Sequence, residues 1–210
     1  MKNELVFYTN PMSRGRIVRW MLEEAGCAYE TEILAYDGAM QQPAYRAINP
    51  MGKVPAIRHR GVVVTECAAI CAYLADAFPE AGLAPPPSER GAYYRWLFFA
   101  AGPLESAVVN RSLGLKTPPD KESMVGWGNF ERVMDTLEQA VAGDGWIAGE
   151  RFSAADVYVG AHIGWGLHFR TIEKRPAFER YHARLTDREA RKRAQALDDA
   201  AAAGMQPPQT

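Results

Sequence analysis

Asn49-Pro50-Met51-Gly52-Lys53-Val54-Pro55-Ala56-Ile57 is the stretch on which the fold turns, with Thr65-Glu66-Cys67-Ala68-Ala69-Ile70 close behind it. Val54 to Ile57 is a short apolar run and reads as a strand. Proline has no N–H to give to a ladder, so Pro55 belongs at the first residue of that strand or on an edge. A turn of this kind is also where an X-Pro bond takes the cis form. The Val54 backbone N–H and C=O are then directed outward, where an extended peptide can pair with them as an added strand does. Val62-Val63-Val64 reads as the next strand, and Thr65 as the N-cap of a helix over 67–78. Free N–H groups and the dipole at such a helix start favour a carboxylate. A peptide-pairing edge beside an anion-binding helix start points to a small acidic peptide as ligand.

Upstream, residues 4–8 (ELVFY) read as a strand, 15–25 as a helix closed by Gly26, and 29–34 (YETEIL) as a second strand. Strand, helix, strand, then two short strands and a helix make a βαβ-ββα order. The pattern changes at 79–88 (PEAGLAPPPS), which cannot continue a helix. Beyond it helical patterns run over 88–110, 120–142, 157–167, 176–186 and 188–203, and 204–210 reads as a loose tail. The expected organisation is a domain over 1–79, a linker over 80–88 and a helical domain over 89–210. Ser153-Ala154-Ala155-Asp156 is a capping box with Asp in the place of Glu or Gln, and Phe152 stands where a hydrophobic staple would.

A chain of 210 residues with formal net charge −1 can bury a substantial core and has no basic footprint for nucleic acid. The mixed-sign run 187–193 (DREARKR) is a solvated helix face. Cys27, Cys67 and Cys71 form neither an even disulfide framework nor a C-x-x-C pair, and no metal-ligand quartet is visible. With no long apolar span and no leader pattern, the chain reads as soluble, with no membrane partner, and free thiols fit a cytoplasmic setting.

The order of elements, the Val-Pro turn and the Ser/Thr-x-x-Asp box resemble the cytosolic glutathione S-transferases, over nearly the whole chain. The resemblance implies an α/β thioredoxin-like N-terminal domain and an all-α C-terminal helical domain. It also implies glutathione as co-substrate, no other cofactor, no metal and a homodimer. In that family the residue before the cis-proline pairs with the cysteinyl part of glutathione, which is Val54 here, ahead of Pro55. A Glu or Gln followed by Ser holds the γ-glutamyl end. Glu66 keeps the acid, whereas Cys67 stands where Ser is usual, and a thiol is a weak donor. By the same resemblance Lys53 meets a glutathione carboxylate.

Tyr8-Thr9-Asn10-Pro11-Met12-Ser13-Arg14-Gly15-Arg16 is the first turn and leads into a helix. Bacterial and phi-like transferases with a serine here carry a similar Pro-x-Ser pattern, and the resemblance makes Ser13 the donor to the glutathione sulfur. A free thiol of pKa about 8.5 is only a few per cent ionised at neutral pH, and the thiolate is the nucleophile. Lowering that pKa by about two units takes about 2.7 kcal/mol, the order that a charge-assisted hydrogen bond and a helix terminus supply. From the residues alone, Ser13 can equally be a helix cap. Tyr8 is the rival donor, because several transferase classes use a tyrosine near the end of this strand, and Asn10 is a third candidate.

The helical half is rich in aromatics, most of which helical spacing assigns to core. By resemblance, Tyr94, Phe98, Trp165 and Phe169 are the candidates for an apolar electrophile pocket, where recognition is by area and shape. The expected activity is conjugation of the glutathione thiolate to small apolar electrophiles. The alternatives are a glutathione-dependent disulfide or peroxide reductase, and a non-enzymatic binding module, on the same fold.

Overall fold

The computed structural model describes residues 4–205. Four strands, β1 (Leu5–Thr9), β2 (Glu30–Ile33), β3 (Ala56–His59) and β4 (Val62–Thr65), form one sheet in the order β2-β1-β3-β4. The helices are α1 (Gly15–Ala25), α2 (Pro43–Arg46), α3 (Cys67–Ala77), α4 (Gly91–Phe99), α5 (Glu105–Ser112), α6 (Phe130–Val141), α7 (Ala154–His168), α8 (Pro176–Thr186) and α9 (Glu189–Ala203). The chain divides into two compact units, Met1–Leu83 with Arg188–Thr210, and Ala84–Asp187. The domain boundaries read from the sequence put α9 with the helical half. Packing groups it with the sheet instead.

In the first unit β1 runs parallel to β2 and antiparallel to β3, with Tyr8 opposite Ala56 and Phe7 opposite Ile57. The βαβ-ββα order is therefore a thioredoxin-like arrangement, a mixed four-stranded sheet with α1 and α3 packed together. Side chains alternate across β1. Phe7 lies under the Arg19 guanidinium of α1, 5.2 Å from ring centre to Cζ. Tyr8 instead joins Leu34, Met40, Tyr45 and Ala56 in an apolar cluster edged by Val6, Ile48 and Val54.

Helix α9 is held to α1 by four ion pairs: Arg16 with Asp199 at 2.7 Å, Arg19 with Asp198 at 2.7 Å, Glu23 with Arg193 at 3.1 Å and Glu24 with Arg188 at 2.6 Å. Positions 16, 19, 23 and 24 share one helix face by their spacing. The partly exposed pairs contribute little each. Arg19 and Asp198 are both buried. Burial pushes the Asp198 carboxyl up in pKa, against the pull of the Arg19 charge and hydrogen bond. Loss of either partner would strand the other's charge, at a cost of about 3–5 kcal/mol.

Several boundaries differ from the sequence reading for local reasons. Thr65 ends β4 rather than capping α3, and the cap position is Glu66. A 3₁₀ turn (Ala39–Gln41) and α2 fill the connection from β2 to β3. The helix expected over 88–110 begins with a 3₁₀ turn at Pro87–Glu89 and widens to π geometry over Ala100–Leu104, around Pro103. Proline lacks an N–H and its ring crowds the preceding turn, and a π-bulge accommodates both. The helix expected over 120–142 divides into a 3₁₀ turn at Pro119–Met124 and α6. Gly128 adopts φ +62°, and the Asn129 side chain caps α6 by accepting the Arg132 N–H at 2.9 Å.

The second unit is built around α7, whose capping box is formed as the sequence indicated. Asp156 is fully buried. It accepts from the Ser153 N–H (2.8 Å) and O–H (2.9 Å), the Ile147 N–H (2.8 Å) and the Tyr181 O–H (2.6 Å). Burial pushes its pKa up, and those donors work against the rise. Phe152 meets Trp146 edge-on at 5.2 Å. Asp156→Ala leaves buried donors without an acceptor, at about 1–3 kcal/mol each. We expect it to lower unfolding stability by about 3 kcal/mol or more, and Tyr181→Phe by about 1 kcal/mol. Urea midpoints at unchanged slope measure both.

Candidate active site

Two buried asparagines shape the loops around the candidate residues. Asn10 follows β1 and has no exposed surface. Its Oδ1 accepts the Met12 N–H at 2.9 Å, its Nδ2 donates to the Leu34 carbonyl at 2.8 Å, and its own carbonyl accepts the Ser13 N–H at 3.0 Å. Leu34 returns its N–H to the Thr9 carbonyl at 2.8 Å, so the turn before α1 is tied to the chain leaving β2. Asn10 is therefore committed to bracing the turn, which accounts for an asparagine that the sequence left open as a sulfur contact.

Ser13 is partly exposed at the start of α1. Its hydroxyl donates to the Asn10 carbonyl at 2.7 Å and accepts the Gly15 N–H at 2.9 Å. A side chain on Gly15 would overlap Thr9 Oγ1 and come within 3.1 Å of Ser13 Oγ. Tyr8 lies in the cluster described above, 1% exposed, its phenol pushed up in pKa chiefly by burial. Its ring is 5.9 Å from that of Tyr45.

Asn49 repeats the device before β3. Its Oδ1 accepts the Met51 N–H at 3.0 Å, its carbonyl accepts the Gly52 N–H at 2.8 Å, and its Nδ2 donates to the Lys53 carbonyl at 2.8 Å. The Tyr45 hydroxyl donates to the same carbonyl at 2.6 Å. Gly52 sits at φ +60°, where a Cβ would crowd the Gln41 amide and the Met40 carbonyl. This bracing delivers Val54 and Pro55, joined by a cis peptide bond, with the Lys53 side chain exposed.

Glu66 adopts φ +68°, ψ 120°, a conformation that non-glycine residues rarely hold without support from their surroundings. It turns the chain from β4 directly into α3. Cys67, the first residue of α3, is buried, with Sγ 3.6 Å from the Arg14 carbonyl. That contact brings the N-termini of α1 and α3 side by side, so two positive dipole ends lie close together. Ser13, Glu66 and Cys67 are thus gathered in one unit, and Lys53, Val54 and Pro55 belong to it as well.

Tyr36 was not singled out by the sequence, where it is one residue of a polar loop. Burial pushes its phenol up in pKa, against the Arg14 charge and the Ser13 side chain, which draw it down. The signal that could have found it is its position two residues after Leu34, the residue that Asn10 ties down.

In the second unit, Tyr94 and Phe98 lie on α4, Trp165 on α7, and Phe169 just after it. Phe98 and Phe169 are 71% and 65% exposed, and Trp165 and Phe169 meet edge-on at 6.4 Å. A cavity of about 490 Å³ in this unit is lined by Arg111, Trp127 and Phe130 among others, and by none of those four aromatics.

Residues 12–77 match the family described as Glutathione S-transferase, N-terminal domain, and residues 106–196 match Glutathione S-transferase, C-terminal domain. Glutathione S-transferase GstA of Escherichia coli O157:H7 is 30% identical over 141 residues, covering 64% of this chain and 69% of that one. Maleylacetoacetate isomerase of Pseudomonas aeruginosa is 31% identical over 152 residues, covering 68% and 71%. The chain belongs to the glutathione S-transferase family. A crystal structure of a glutathione transferase homologue from Sulfitobacter, with bound glutathione, has a TM-score of 0.74 at 25% identity, over 96% of this chain and 99% of that one.

For this transferase, the tight approach of Gly15 to Thr9 is a condition of the Ser13 geometry. Gly15→Ala forces Thr9 and the Ser13 hydroxyl apart, and overpacking of this kind costs about 1–3 kcal/mol. We expect a urea midpoint lowered accordingly, with Gly91→Ala, where a Cβ meets open space, changing it little.

Proposed function

We propose that the protein binds glutathione in its first unit, ionises the thiol at Ser13 and transfers the thiolate to a small apolar electrophile. The observation that carries this reading is the meeting of the α1 and α3 N-termini at the Cys67–Arg14 contact. One helix start serves the sulfur and the other serves the α-carboxylate. Between them the Val54 backbone, ahead of Pro55, pairs with the cysteinyl residue in the manner of an added strand. Glu66 takes the α-ammonium group, the Cys67 N–H takes the α-carboxylate, and Lys53 takes a carboxylate of the tripeptide.

The chemistry at Ser13 is an exchange of hydrogen bonds. Its proton is given to a neutral carbonyl, that of Asn10. A bound thiolate offers a charged acceptor in its place, and charge-assisted bonds are about twice as strong as neutral ones. The hydroxyl rotates from carbonyl to sulfur while its oxygen keeps the Gly15 N–H. The thiol proton leaves to solvent. The thiolate lone pair then forms the C–S bond as a halide departs with the electron pair of its own bond, or it adds to an activated alkene that takes up a proton at carbon. Tyr8, buried and with its phenol pushed up in pKa, is a poorer fit to this role than partly exposed Ser13. Tyr94, Phe98, Trp165 and Phe169 are proposed to meet the electrophile, and the homodimer and cytoplasmic setting belong to the same reading.

The similarity to a maleylacetoacetate isomerase favours a second reading. A thiolate that adds reversibly to a conjugated alkene allows rotation before elimination, so the same ionised thiol would isomerise rather than conjugate.

Calorimetric titration with reduced glutathione in two buffers of different ionisation heat tests the first step. Saturable binding with proton release is the expected result, and absence of binding at millimolar glutathione would overturn the reading. Ser13→Ala should then lose turnover with an aryl halide by 10- to 100-fold or more, about 1.4–2.7 kcal/mol, with a small change in glutathione affinity. Tyr8→Phe should stay within a few fold, and a reversed order would move the role to Tyr8.

Cys67 yields a separate expectation. Its thiol stands where a hydroxyl is a better donor, so Cys67→Ser should tighten glutathione binding several-fold, as read by the same titration.

A further inference from the structure

We propose that the cavity in the second unit is a binding site for a small planar aromatic carboxylate, separate from the chemistry at Ser13. Its volume of about 490 Å³ lies within the range of small-molecule pockets, about 300–1,000 Å³. The last turns of α5, the segment after it and the first turn of α6 line it, and all of these belong to the second unit.

Two helix ends fix its shape. Gly114 follows α5 at φ +73°, and its N–H donates to the Arg111 carbonyl at 3.0 Å. The Leu115 N–H donates to the Asn110 carbonyl at 2.8 Å. Together these bonds make a Schellman motif, which turns the chain off the helix and sets Leu115 at the cavity wall. At the other end of the connection, Gly128 at φ +62° and the Asn129 cap start α6. The Asn129 amide also donates to the Glu122 carboxylate at 2.9 Å, which ties the preceding 3₁₀ turn to the cap. A site built from two closed helix ends is formed before a ligand arrives, and little ordering cost is left for binding.

The lining joins aromatic faces to cations. The Arg111 guanidinium lies over the Phe130 ring, Cζ 4.1 Å from the ring centre, and Trp127 lines the same cavity. Among the described residues Arg111 meets one carboxylate, that of Glu173, at 3.7 Å between two exposed side chains. That distance is beyond hydrogen-bond range, and such pairs contribute little. Among the same residues Lys116 meets no carboxylate and the Thr117 hydroxyl makes no hydrogen bond. Of the two acids on the lining, Glu122 is matched by Arg132 at 3.3 Å, which leaves Glu131. The open cations therefore outnumber the open carboxylate. Two aromatic side chains and Leu115, 57% exposed as it stands, offer contact to a flat ring system. The planar guanidinium fork takes a carboxylate through paired hydrogen bonds. An uncharged ring system would leave those donors unused, and a cationic one would meet Arg111 and Lys116 as like charges.

The test is calorimetric titration of the whole chain with 2-naphthoate, and with 2-naphthamide as its uncharged counterpart. 2-Naphthoate should bind one saturable site with a dissociation constant below about 1 mM, and the amide about tenfold more weakly. Lys116→Gln removes a charge from an exposed side chain that holds no ion pair among the described residues. It should weaken 2-naphthoate several-fold and leave the amide unchanged, and Arg111→Gln should do the same more strongly. Trp127→Ala should weaken both ligands. Absence of saturable binding at about 10 mM 2-naphthoate would overturn the proposal. Binding left unchanged by both Lys116→Gln and Trp127→Ala would lie elsewhere on the protein and overturn it equally. Because no residue of the first unit lines the cavity, either result leaves the glutathione reading as it was.

Discussion

The site depends on one buried amide. Asn10 uses its side-chain oxygen, its side-chain nitrogen and its backbone carbonyl to fold the turn after β1 and to tie it to Leu34. Without those bonds the turn that presents the Ser13 hydroxyl loses its shape and the chain leaving β2 loses one of its two ties to that turn. Three backbone groups met by one side chain and its own carbonyl fix the local structure, and the buried Leu34 carbonyl among them would cost about 1–3 kcal/mol if left unpaired. Asn49 repeats the solution where Lys53, Val54 and Pro55 must be presented. Each loop of the site is thus held by a residue that touches no ligand in the proposed chemistry.

Helix α1 links this arrangement to the far end of the chain. The loop that leads into it carries Ser13, and one of its faces is clasped by α9 through the buried Arg19–Asp198 pair and its more exposed neighbours. A buried ion pair adds little net stability but penalises every arrangement that separates its partners. It therefore specifies which helix lies against α1. The last helix in the sequence becomes part of the unit that holds the candidate chemistry, and that regrouping is a matter of packing, not of chain order.

The second unit uses the same principle inside a helix start. Asp156 at the third position of α7 gathers donors from Ser153, from Ile147 and from Tyr181 on α8. What reads in the sequence as a local cap is in the structure the junction between a helix, the loop before it and a neighbouring helix.

The sequence by itself determined the order of the four strands and of α1, α3 and α6 to α9, the Val54–Pro55 turn, the α7 capping box and the family. Each rests on a pattern confined to a few neighbouring residues: proline without an N–H, a box four residues long, strand and helix periods. The change from an α/β half to a helical half was equally legible, because proline and glycine interrupt both periods. Tertiary structure decided what depends on partners distant in sequence. Asn10 is a brace because Leu34 lies 24 residues on, and Cys67 adjoins the first turn because Arg14 lies 53 residues back. Tyr8 reads as a donor or a core residue until Tyr45 and Ala56 enclose it, and α9 reads as helical-domain until Asp198 meets Arg19. Hydrogen-bond satisfaction and burial are sums over neighbours in space, and a linear pattern carries only the neighbours in sequence.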